Sequence, residues 1–324
     1  MHRPLRTISQ KTLKTSIGCT GVGLHSGARV SLTLHPAPPG AGIVFRRSDV
    51  SGDAAIVRAT WQNVVDAQLC TTIGNAQGTR IGTVEHLMAA LYGCEIDNAV
   101  VELDGPEVPA MDGSAGPFVF LIECAGTVDQ AAPRRGIEVR REITVMDEDC
   151  RVTLSPARLG RVNRGLALEF EIDFASNAVA RQCCRLNIAP EVFKAEVARA
   201  RTFGFAEDVD RLRAAGLARG GSLDNAIVIS GNRILNEDGL RFEDEFVRHK
   251  MLDCVGDLYL AGAPLLGTVT ASRSGHRHNN RLLRALFATP DAFRYVDFMD
   301  SDNTAAWVTS RTYDGGRLGL GAAD

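Results

Sequence analysis

A short stretch in the second half of the chain carries three side chains suited to a metal site. His249, Asp253 and Asp257 are spaced four residues apart, so on a helix all three face the same way. Imidazole and carboxylate groups are common zinc ligands, and a catalytic zinc ion typically has three protein ligands and one open position. Many solvated helix faces carry a similar pair. The spacing therefore predicts part of a metal site, which needs a further ligand.

A histidine in the first half of the chain, His86, supplies that ligand. With His249 and Asp253 it forms a set of two imidazoles and one carboxylate, which satisfies the three-ligand rule. Taken alone, either histidine would more often be structural than a ligand. Glu85 precedes His86, so its carboxylate is the candidate general base that takes a proton from water while the metal polarises a carbonyl.

Hydrolysis of an amide also requires a proton for the leaving nitrogen. His276, predicted on a loop after a strand at residues 265–271, is the candidate acid, and Asp257 is expected to orient and charge its imidazole. His278 is a competing candidate, and the spacing does not choose between the two. His25 is predicted to be a surface or turn residue.

The overall composition is that of an ordinary globular protein. With 324 residues, 45% hydrophobic residues and a net charge of −3, we expect two domains and no nucleic-acid partner. The longest uncharged apolar stretch, residues 258–271, is shorter than the roughly 18 residues that indicate a membrane span. The basic first six residues are not followed by the apolar segment of a signal peptide. The sequence therefore predicts a cytoplasmic protein with no integral membrane segment.

Several common metal and nucleotide motifs are absent or incomplete. The eight cysteines show no CxxC spacing, so free thiols are expected and any metal must use histidine and carboxylate ligands. The glycine-rich segment 21–27 has Ser26 where a dinucleotide-binding loop has its last glycine. There is no HExxH motif, and H-x-x-E-H is missed because Gly82 replaces its first histidine.

Local patterns predict an α+β protein made of two similar halves. The predicted elements are paired strands within 14–34, an amphipathic helix at 83–91 that ends near Gly93, a strand at 98–103, a strand at 166–174, a helix at 191–200, a helix at 242–260 and a strand at 265–271. Residues 130–136 are predicted as a linker between domains of residues 1–131 and 132–324. The spacing from His86 to Gly93 recurs from His249 to Gly256, which hints at a weak internal repeat.

Seven segments match a known enzyme family. They are TGVGLHSG at 20–27, LCTT at 69–72, TVEH at 83–86, MDGSA at 111–115, RTFGF at 201–205, the run 236–253 and SGH at 274–276. Through these motifs the chain resembles, over nearly its whole length, the zinc-dependent UDP-3-O-acyl-N-acetylglucosamine deacetylases of lipid A biosynthesis. The resemblance implies hydrolysis of the N-acetyl group of UDP-3-O-acyl-N-acetylglucosamine, with release of acetate and with one Zn²⁺ per chain.

The resemblance also implies roles for individual residues. The implied roles are His86, His249 and Asp253 as zinc ligands, Glu85 as base, His276 as acid supported by Asp257, and Thr202 and Lys250 as groups that stabilise the oxyanion or hold the substrate. The implied fold has two similar α/β-sandwich domains packed face to face, with the active site between them. An inserted segment is expected to form an apolar passage for the acyl chain.

The substrate contacts implied by the resemblance are Phe203 lining the site, Phe174 packing on the uracil, and Val209, Leu212, Leu223 and Val228 along the acyl passage. Without the resemblance, these apolar residues would be read as ordinary core. Because the substrate is amphiphilic, transient membrane contact is compatible with this assignment.

The chain departs from the family pattern at two places. Residues 175–177 replace a loop that commonly contains a His-Pro pair, and Arg273 stands where a lysine is common. Arg273 keeps the positive charge expected to bind phosphate, although its planar fork alters the contact geometry. Two other functions stay open at this point: a metal-dependent amidohydrolase for another acylated amino sugar, and a noncatalytic carbohydrate- or nucleotide-binding protein.

Overall fold

The computed structural model describes residues 6–157 and 165–300, so the basic N-terminal segment lies almost wholly outside it. Helices and strands alternate irregularly in the described chain, which confirms the predicted α+β class. The elements up to residue 125 are β1 Arg6–Thr7, β2 Ser9–Leu13, β3 Ile17–Val22, β4 Arg29–Pro36, β5 Ile43–Arg47, β6 Ile56–Arg58, β7 Val64–Asp66, β8 Thr72–Gly74, β9 Arg80–Ile81, α1 Glu85–Gly93, β10 Ala99–Leu103 and α2 Gly116–Ala125, with 3-10 turns at Gly52–Ala55 and Trp61–Asn63.

The second part of the chain adds most of the strands and the longest helix. Its elements are β11 Thr127–Pro133, β12 Arg135–Val139, β13 Ile143–Asp147, β14 Cys150–Pro156, β15 Leu166–Asp173, β16 Arg181–Ile188, α3 Pro190–Val192 with a π-helical turn at Phe193–Val197, β17 Phe203–Phe205, α4 Ala206–Ala214, β18 Ile227–Ser230, β19 Arg233–Ile234, α5 Glu245–Tyr259, β20 Leu265–Ser272, α6 His276–Ala288, β21 Phe293–Asp297 and β22 Met299–Asp300.

Two larger sheets carry the main helices. The first has five strands in the order β3-β4-β10-β5-β6, and the second has seven, with β20 paired to β12, β14 and β15. Helix α2 packs against β3, α5 against β15 and β16, and α6 against β13 and β14, while α1 packs on α5. The helices of the two sheets therefore face each other. None of the helices in the described ranges is long and apolar enough to cross a membrane.

Helix α1 is buried on every side. The sequence predicts an amphipathic helix here, but all nine residues of α1 are buried, because α5 covers the side that would otherwise face solvent. A helix enclosed in this way does not need a polar face. The polar residues that α1 does carry, Glu85 and His86, therefore lie in the protein interior.

Helices α1 and α5 approach most closely at a glycine. A Cβ atom on Gly256 would lie 1.9 Å from the carbonyl oxygen of Glu85 and 3.1 Å from the amide nitrogen of Ala89. Only glycine allows the two backbones to come this near. As a result the imidazoles of His86 and His249, one on each helix, have ring centroids 5.0 Å apart.

The predicted linker, residues 130–136, is not an exposed coil. Strand β11 pairs with β2, and β12 pairs with both β20 and β21, which leaves only Arg134 between the two strands. Arg134 is buried, and its guanidinium binds Glu95 at 2.5 Å and Asp97 at 3.0 Å. The proline and the arginines of this segment are typical of a linker. The strand pairing and the buried ion pairs depend on distant residues, so composition does not reveal them. The domain division near residue 131 stays a prediction.

We expect Gly256→Ala to destabilise the protein by about 3 kcal/mol, the upper end of ordinary overpacking, because the new methyl group meets backbone that cannot move alone. Urea unfolding measures this change. Gly204→Ala is the matched control, since a Cβ there meets nothing within 4 Å. Equal stability of the two variants would contradict the close helix contact.

Candidate active site

The three predicted metal ligands come together at the crossing of α1 and α5. His86 is the second residue of α1, and His249 and Asp253 lie one turn apart on α5. One ligand atom from each lies within 4.8 Å of the others, and all three residues are buried. The Nε2 atoms of His86 and His249 are 3.6 and 3.3 Å from Oδ1 of Asp253. The arrangement offers two nitrogens and one oxygen to a single point.

The orientation of His249 is set by a backbone carbonyl. Its Nδ1 lies 3.1 Å from the carbonyl oxygen of Ala200, and because that oxygen can only accept, Nδ1 carries the proton and Nε2 keeps its lone pair. Burial lowers the pKa of His249 to about 4. The imidazole is therefore neutral near pH 7, which is the form that binds a metal ion.

Asp253 presents one unpartnered oxygen to this group. Its Oδ2 accepts a hydrogen bond from Lys250 Nζ at 2.8 Å, whereas its buried Oδ1 has no hydrogen-bond partner. Burial by itself would raise the pKa of Asp253, but its electrostatic interactions with His249, Lys250 and His276 outweigh burial and hold the pKa well below its usual range. An ionised, buried oxygen without a donor, beside two imidazole nitrogens, fits a divalent metal ion such as zinc.

Glu85 begins α1 and lies beside the metal-ligand group. Its Oε2 accepts a hydrogen bond from the backbone amide of Thr71 at 3.0 Å, and its Oε1 is 3.9 Å from Nε2 of His276. Burial raises the pKa of Glu85 above that of a solvated glutamate. A carboxylate with a raised pKa is a better proton acceptor at neutral pH.

His276 begins helix α6, whereas the sequence predicted a loop. Its Nδ1 donates to Oδ2 of Asp257 at 2.8 Å, and its Nε2 lies 3.8 Å from Oδ2 of Asp253. Burial would lower the pKa of His276, but the negative charges of Asp257, Asp253 and Glu85 outweigh burial and raise it to about 9. The imidazole is therefore protonated at neutral pH, with Nε2–H directed at the site.

The competing candidate His278 lies outside this group. Its Nδ1 accepts from the backbone amide of Gly275 at 3.3 Å, and its Nε2 is 4.0 Å from Asp147, a carboxylate that also binds Arg277 and Arg281. Although His278 is buried, no polar contact of its side chain involves a metal-ligand residue.

Two side chains that the sequence did not single out hold Asp257. Thr71 Oγ1 donates to Oδ1 of Asp257 at 2.5 Å, and Asn279 Nδ2 donates to Oδ2 at 2.9 Å. Asn279 follows His276 by three residues on α6, a helical spacing from which the shared partner could have been inferred. Thr71 lies in the family motif at 69–72, but nothing in that motif indicates its partner.

A second carboxylate, Glu107, organises the entrance to α1. It is buried and accepts hydrogen bonds from the backbone amides of His25 and Ser26, at 2.9 and 2.8 Å, and from Thr83 Oγ1 at 2.8 Å. Thr83 has a φ of 56°, which is strained for a β-branched residue. His25 lies in a turn, in agreement with the prediction of a surface or turn residue, but its Nδ1 is buried and its imidazole is close enough to His276 to interact with it electrostatically.

Aromatic side chains continue the site away from the metal-ligand group. The ring centroid of Phe203 lies 6.3 Å from that of His249 and 5.6 Å from that of Phe174. Thr202 precedes Phe203, and its backbone amide donates to the carbonyl oxygen of Gly113 at 2.8 Å. Phe203 and Phe174 are thus brought to the site, and Thr202 lies on the segment next to it.

The predicted acyl-passage residues lie on a β-α-β unit formed by β17, α4 and β18. Strands β17 and β18 are parallel, and α4 packs against both. Val209 and Leu212 lie three residues apart on α4, and both are half-buried, as is Val228 on β18. Leu223, in the connection between α4 and β18, is 48% exposed. The unit begins at Phe203 and so adjoins the site.

Arg273 is already engaged by carboxylates. Its guanidinium binds Asp173 and lies 3.5 Å from Asp149. Asp173 immediately precedes Phe174, so Arg273 is placed near that ring but not free of partners.

The loop after β15, where the family pattern is not kept, is tied to a neighbouring hairpin turn. Ser176 Oγ donates to the carbonyl oxygen of Gly231 at 2.7 Å, and the amide of Asn177 donates to Asn232 Oδ1 at 3.0 Å. The segment 175–177 thus has its own contacts in place of those of a His-Pro loop.

A buried ion pair holds the segment that carries Ala200 and Thr202 against the start of α5. Glu245 accepts hydrogen bonds from Arg201 through the backbone amide at 3.0 Å and through Nε at 2.9 Å. Burial by itself would raise the pKa of Glu245, but these hydrogen bonds and the guanidinium charge hold it below its usual range. The pair therefore positions the carbonyl group that orients His249.

Comparison with known proteins gives one consistent result. Residues 10–288 match the family model described as UDP-3-O-acyl N-acetylglycosamine deacetylase. Proteins named UDP-3-O-acyl-N-acetylglucosamine deacetylase are similar to this chain. One from Acidithiobacillus ferrooxidans is 51% identical over 90% of this chain and 94% of its own length. Others from Haemophilus influenzae and Myxococcus xanthus are 48% and 50% identical, covering 91% and 89% of this chain and 95% and 89% of their own lengths.

We expect Glu245→Gln to destabilise the protein by about 3 to 5 kcal/mol, because Arg201 then stays buried without its counter-charge. The folded pKa of Glu245 is depressed, so its stabilisation is present above the usual glutamate value of 4.5 and is lost as pH falls through the folded pKa. As the pH is lowered below 4.5, the free energy of unfolding of the variant should therefore decrease less than that of the wild type. Urea unfolding in the presence of a chelator measures both.

A surface ion pair provides the control for this prediction. Glu196 binds Arg248 at 2.7 Å, but its side chain is 46% exposed, so Glu196→Gln should cost no more than about 1 kcal/mol. Equal losses in the two variants, or an unchanged acid dependence in Glu245→Gln, would contradict the role of the buried pair.

Proposed function

Because the chain belongs to the UDP-3-O-acyl N-acetylglycosamine deacetylase family, we propose that it hydrolyses the N-acetyl group of UDP-3-O-acyl-N-acetylglucosamine and releases acetate, a reaction of lipid A biosynthesis. The single observation that carries this proposal is the buried group of metal ligands with Glu85 and His276 beside it. A noncatalytic binding protein has no need for a base and an acid at such a place.

The proposed cofactor is one Zn²⁺ per chain, held by His86, His249 and Asp253. The neutral imidazole of His249 and the unpartnered Oδ1 of Asp253 support this choice, and two nitrogens with one oxygen form a donor set typical of catalytic zinc. When bound, zinc supplies Lewis acidity, which polarises the substrate carbonyl and lowers the pKa of water.

The proton transfers are assigned to two side chains beside that group, Glu85 and His276. Glu85 accepts the proton of the attacking water at Oε1, the oxygen that Thr71 leaves free. His276 then donates the proton on Nε2 to the leaving sugar nitrogen, while Asp257 holds Nδ1 and stabilises the imidazolium. The raised pKa of Glu85 and of His276 keeps a proton acceptor and a proton donor ready at the same pH.

The remaining contacts are assigned by position. Lys250, whose ammonium binds Asp253, and Thr202 are the proposed groups for the developing oxyanion. Phe203 is proposed to line the site, Phe174 to pack on the uracil and Arg273 to bind phosphate. The acyl chain is proposed to lie along the β-α-β unit that carries Val209, Leu212, Leu223 and Val228. We also propose that the protein acts in the cytoplasm.

Acetate release from UDP-3-O-acyl-N-acetylglucosamine by the purified protein tests the function. We expect zinc-dependent release that stops on chelation and returns with zinc. Glu85→Gln should lower kcat by about 10² to 10⁴-fold, the usual contribution of a general base, while zinc stays bound. The same sugar nucleotide without its 3-O-acyl chain is the matched substrate, and it should be hydrolysed with a much lower kcat/KM.

Two results would contradict the assignment. No release from folded, zinc-loaded protein would exclude this substrate and favour an amidohydrolase of another acylated amino sugar. Full activity of Glu85→Gln would remove Glu85 from its role as base.

Zinc binding itself can be measured on the protein without turnover. After dialysis we expect about one zinc per wild-type chain by elemental analysis, and His249→Ala should weaken zinc binding by more than about 100-fold, beyond the loss of an outer hydrogen-bond partner. His278→Ala is the matched control and should bind zinc like the wild type. Similar losses in both variants would contradict the ligand set.

A further inference from the structure

We propose that Thr71 is a positioning residue that holds two carboxylates of the site, Glu85 and Asp257, and determines which oxygen of each faces His276. This inference rests on the proposed function for the roles of the two carboxylates. Its geometric part concerns hydrogen bonds of the chain itself.

Thr71 contacts the two carboxylates through different groups. Its backbone amide donates to Oε2 of Glu85 at 3.0 Å, and its hydroxyl donates to Oδ1 of Asp257 at 2.5 Å. Glu85 and Asp257 belong to different helices, α1 and α5. Thr71 is 2% exposed, so water does not compete for either hydrogen bond.

His276 closes the set into a ring. Its Nδ1 donates to Oδ2 of Asp257 at 2.8 Å, and its Nε2 is 3.9 Å from Oε1 of Glu85. Thr71 thus binds one oxygen of each carboxylate, and His276 faces the other oxygen of each. A carboxylate has two equivalent acceptor oxygens, so an external donor is needed to decide which of them meets the histidine.

The backbone of Thr71 is hydrogen-bonded to the residue that precedes α1. Its carbonyl oxygen accepts from the amide of Val84 at 3.2 Å, immediately before Glu85 in the chain. Thr71 also precedes strand β8, which begins at Thr72. Thr71 is therefore held between a strand and the start of α1. Because its backbone is fixed in this way, its two hydrogen bonds can hold the side chains of Glu85 and Asp257 in place.

Substitution of Thr71 can remove its side-chain hydrogen bond to Asp257 and keep its backbone hydrogen bond to Glu85. Thr71→Val keeps the shape and the backbone amide, so Glu85 stays bound while Asp257 loses one donor. Asp257 is then held only at Oδ2, by His276 and Asn279, so its carboxylate can turn about that oxygen and the imidazole of His276 is less firmly directed. Because small misplacements of reacting groups cost up to about 100-fold, we expect kcat to fall by about 10- to 100-fold. Because the substitution acts on groups that direct proton transfer and not on the residues proposed to bind the substrate, KM should change by less than about twofold.

The experiment compares three variants for acetate release. Thr71→Val should show the loss of kcat, and Thr71→Ser, which keeps both donors, should recover most of it. Thr153→Val is the matched control, because Thr153 is also buried and its hydroxyl pairs with Thr144 at 2.9 Å on strands β13 and β14. It should lose a similar hydrogen bond without losing kcat.

A spectroscopic readout on the metal-free protein does not depend on turnover. The proton on Nδ1 of His276 is expected to give a downfield NMR resonance, assigned by its absence in His276→Gln. Thr71→Val should shift or broaden this resonance, whereas Thr153→Val should leave it unchanged.

The outcomes separate this inference from the proposed function. Wild-type kcat and an unchanged resonance in Thr71→Val would overturn the positioning role, as would an equal loss of kcat in Thr153→Val. A shifted resonance in Thr71→Val, together with a wild-type protein that releases no acetate, would support the positioning role and reject the proposed substrate.

Discussion

The contact between α1 and α5 is the constraint on which the site depends. Helix α1 carries Glu85 and His86, and α5 carries the other two proposed ligands and Asp257, so neither helix alone has a complete set. The two backbones meet at Gly256, where any side chain would overlap the carbonyl of Glu85. The absence of one Cβ atom therefore brings Glu85, the proposed base, and both imidazoles within reach of one another. The large sheets on either side keep the helices pressed together through a continuous apolar core.

The charges at this crossing are costly to bury and are arranged to offset one another. Unpaired charges in a protein interior are strongly unfavourable. Asp257 is neutralised by His276 and by hydroxyl and amide donors, and one oxygen of Asp253 is neutralised by Lys250. The other oxygen of Asp253 has no donor among the described residues. A cation between that oxygen and the two imidazoles would neutralise the remaining charge of Asp253. Binding of such an ion would therefore stabilise the site.

Sequence spacing predicted the parts of the site that lie on one helix. The interval of four residues in α5 places His249, Asp253 and Asp257 on one face. His86 was assigned to the same site because two imidazoles and one carboxylate form a typical set of zinc ligands. The shared seven-residue spacing to Gly93 and Gly256 has a different basis in each helix. A Cβ on Gly93 would overlap the ring of Phe193, whereas one on Gly256 would overlap α1.

Other features could not be read from spacing, because they depend on contacts between distant segments. The hydrogen bonds of Thr71 and Glu107, the burial of α1 on every side, and the ion pairs of Arg134 all join parts of the chain that are far apart in sequence. The segment around Arg134 has the composition of a linker, but pairing with neighbouring strands makes it part of two sheets. Local patterns therefore predicted several of the elements and the ligand types, and tertiary pairing decided which residues support them.

The separation of His86 from His249 by about half the chain has a consequence for how the protein is made. In a small zinc domain the ligands are neighbours in sequence, so the ion can organise the chain as it folds. Here the first imidazole is synthesised long before the second, and the segment that carries the proposed acid, His276, comes later still. During synthesis, the nascent chain has no complete ligand set until α5 has left the ribosome and docked on α1. Capture of a metal ion by these residues would therefore be a late event in biogenesis, restricted to chains in which the two helices have already assembled.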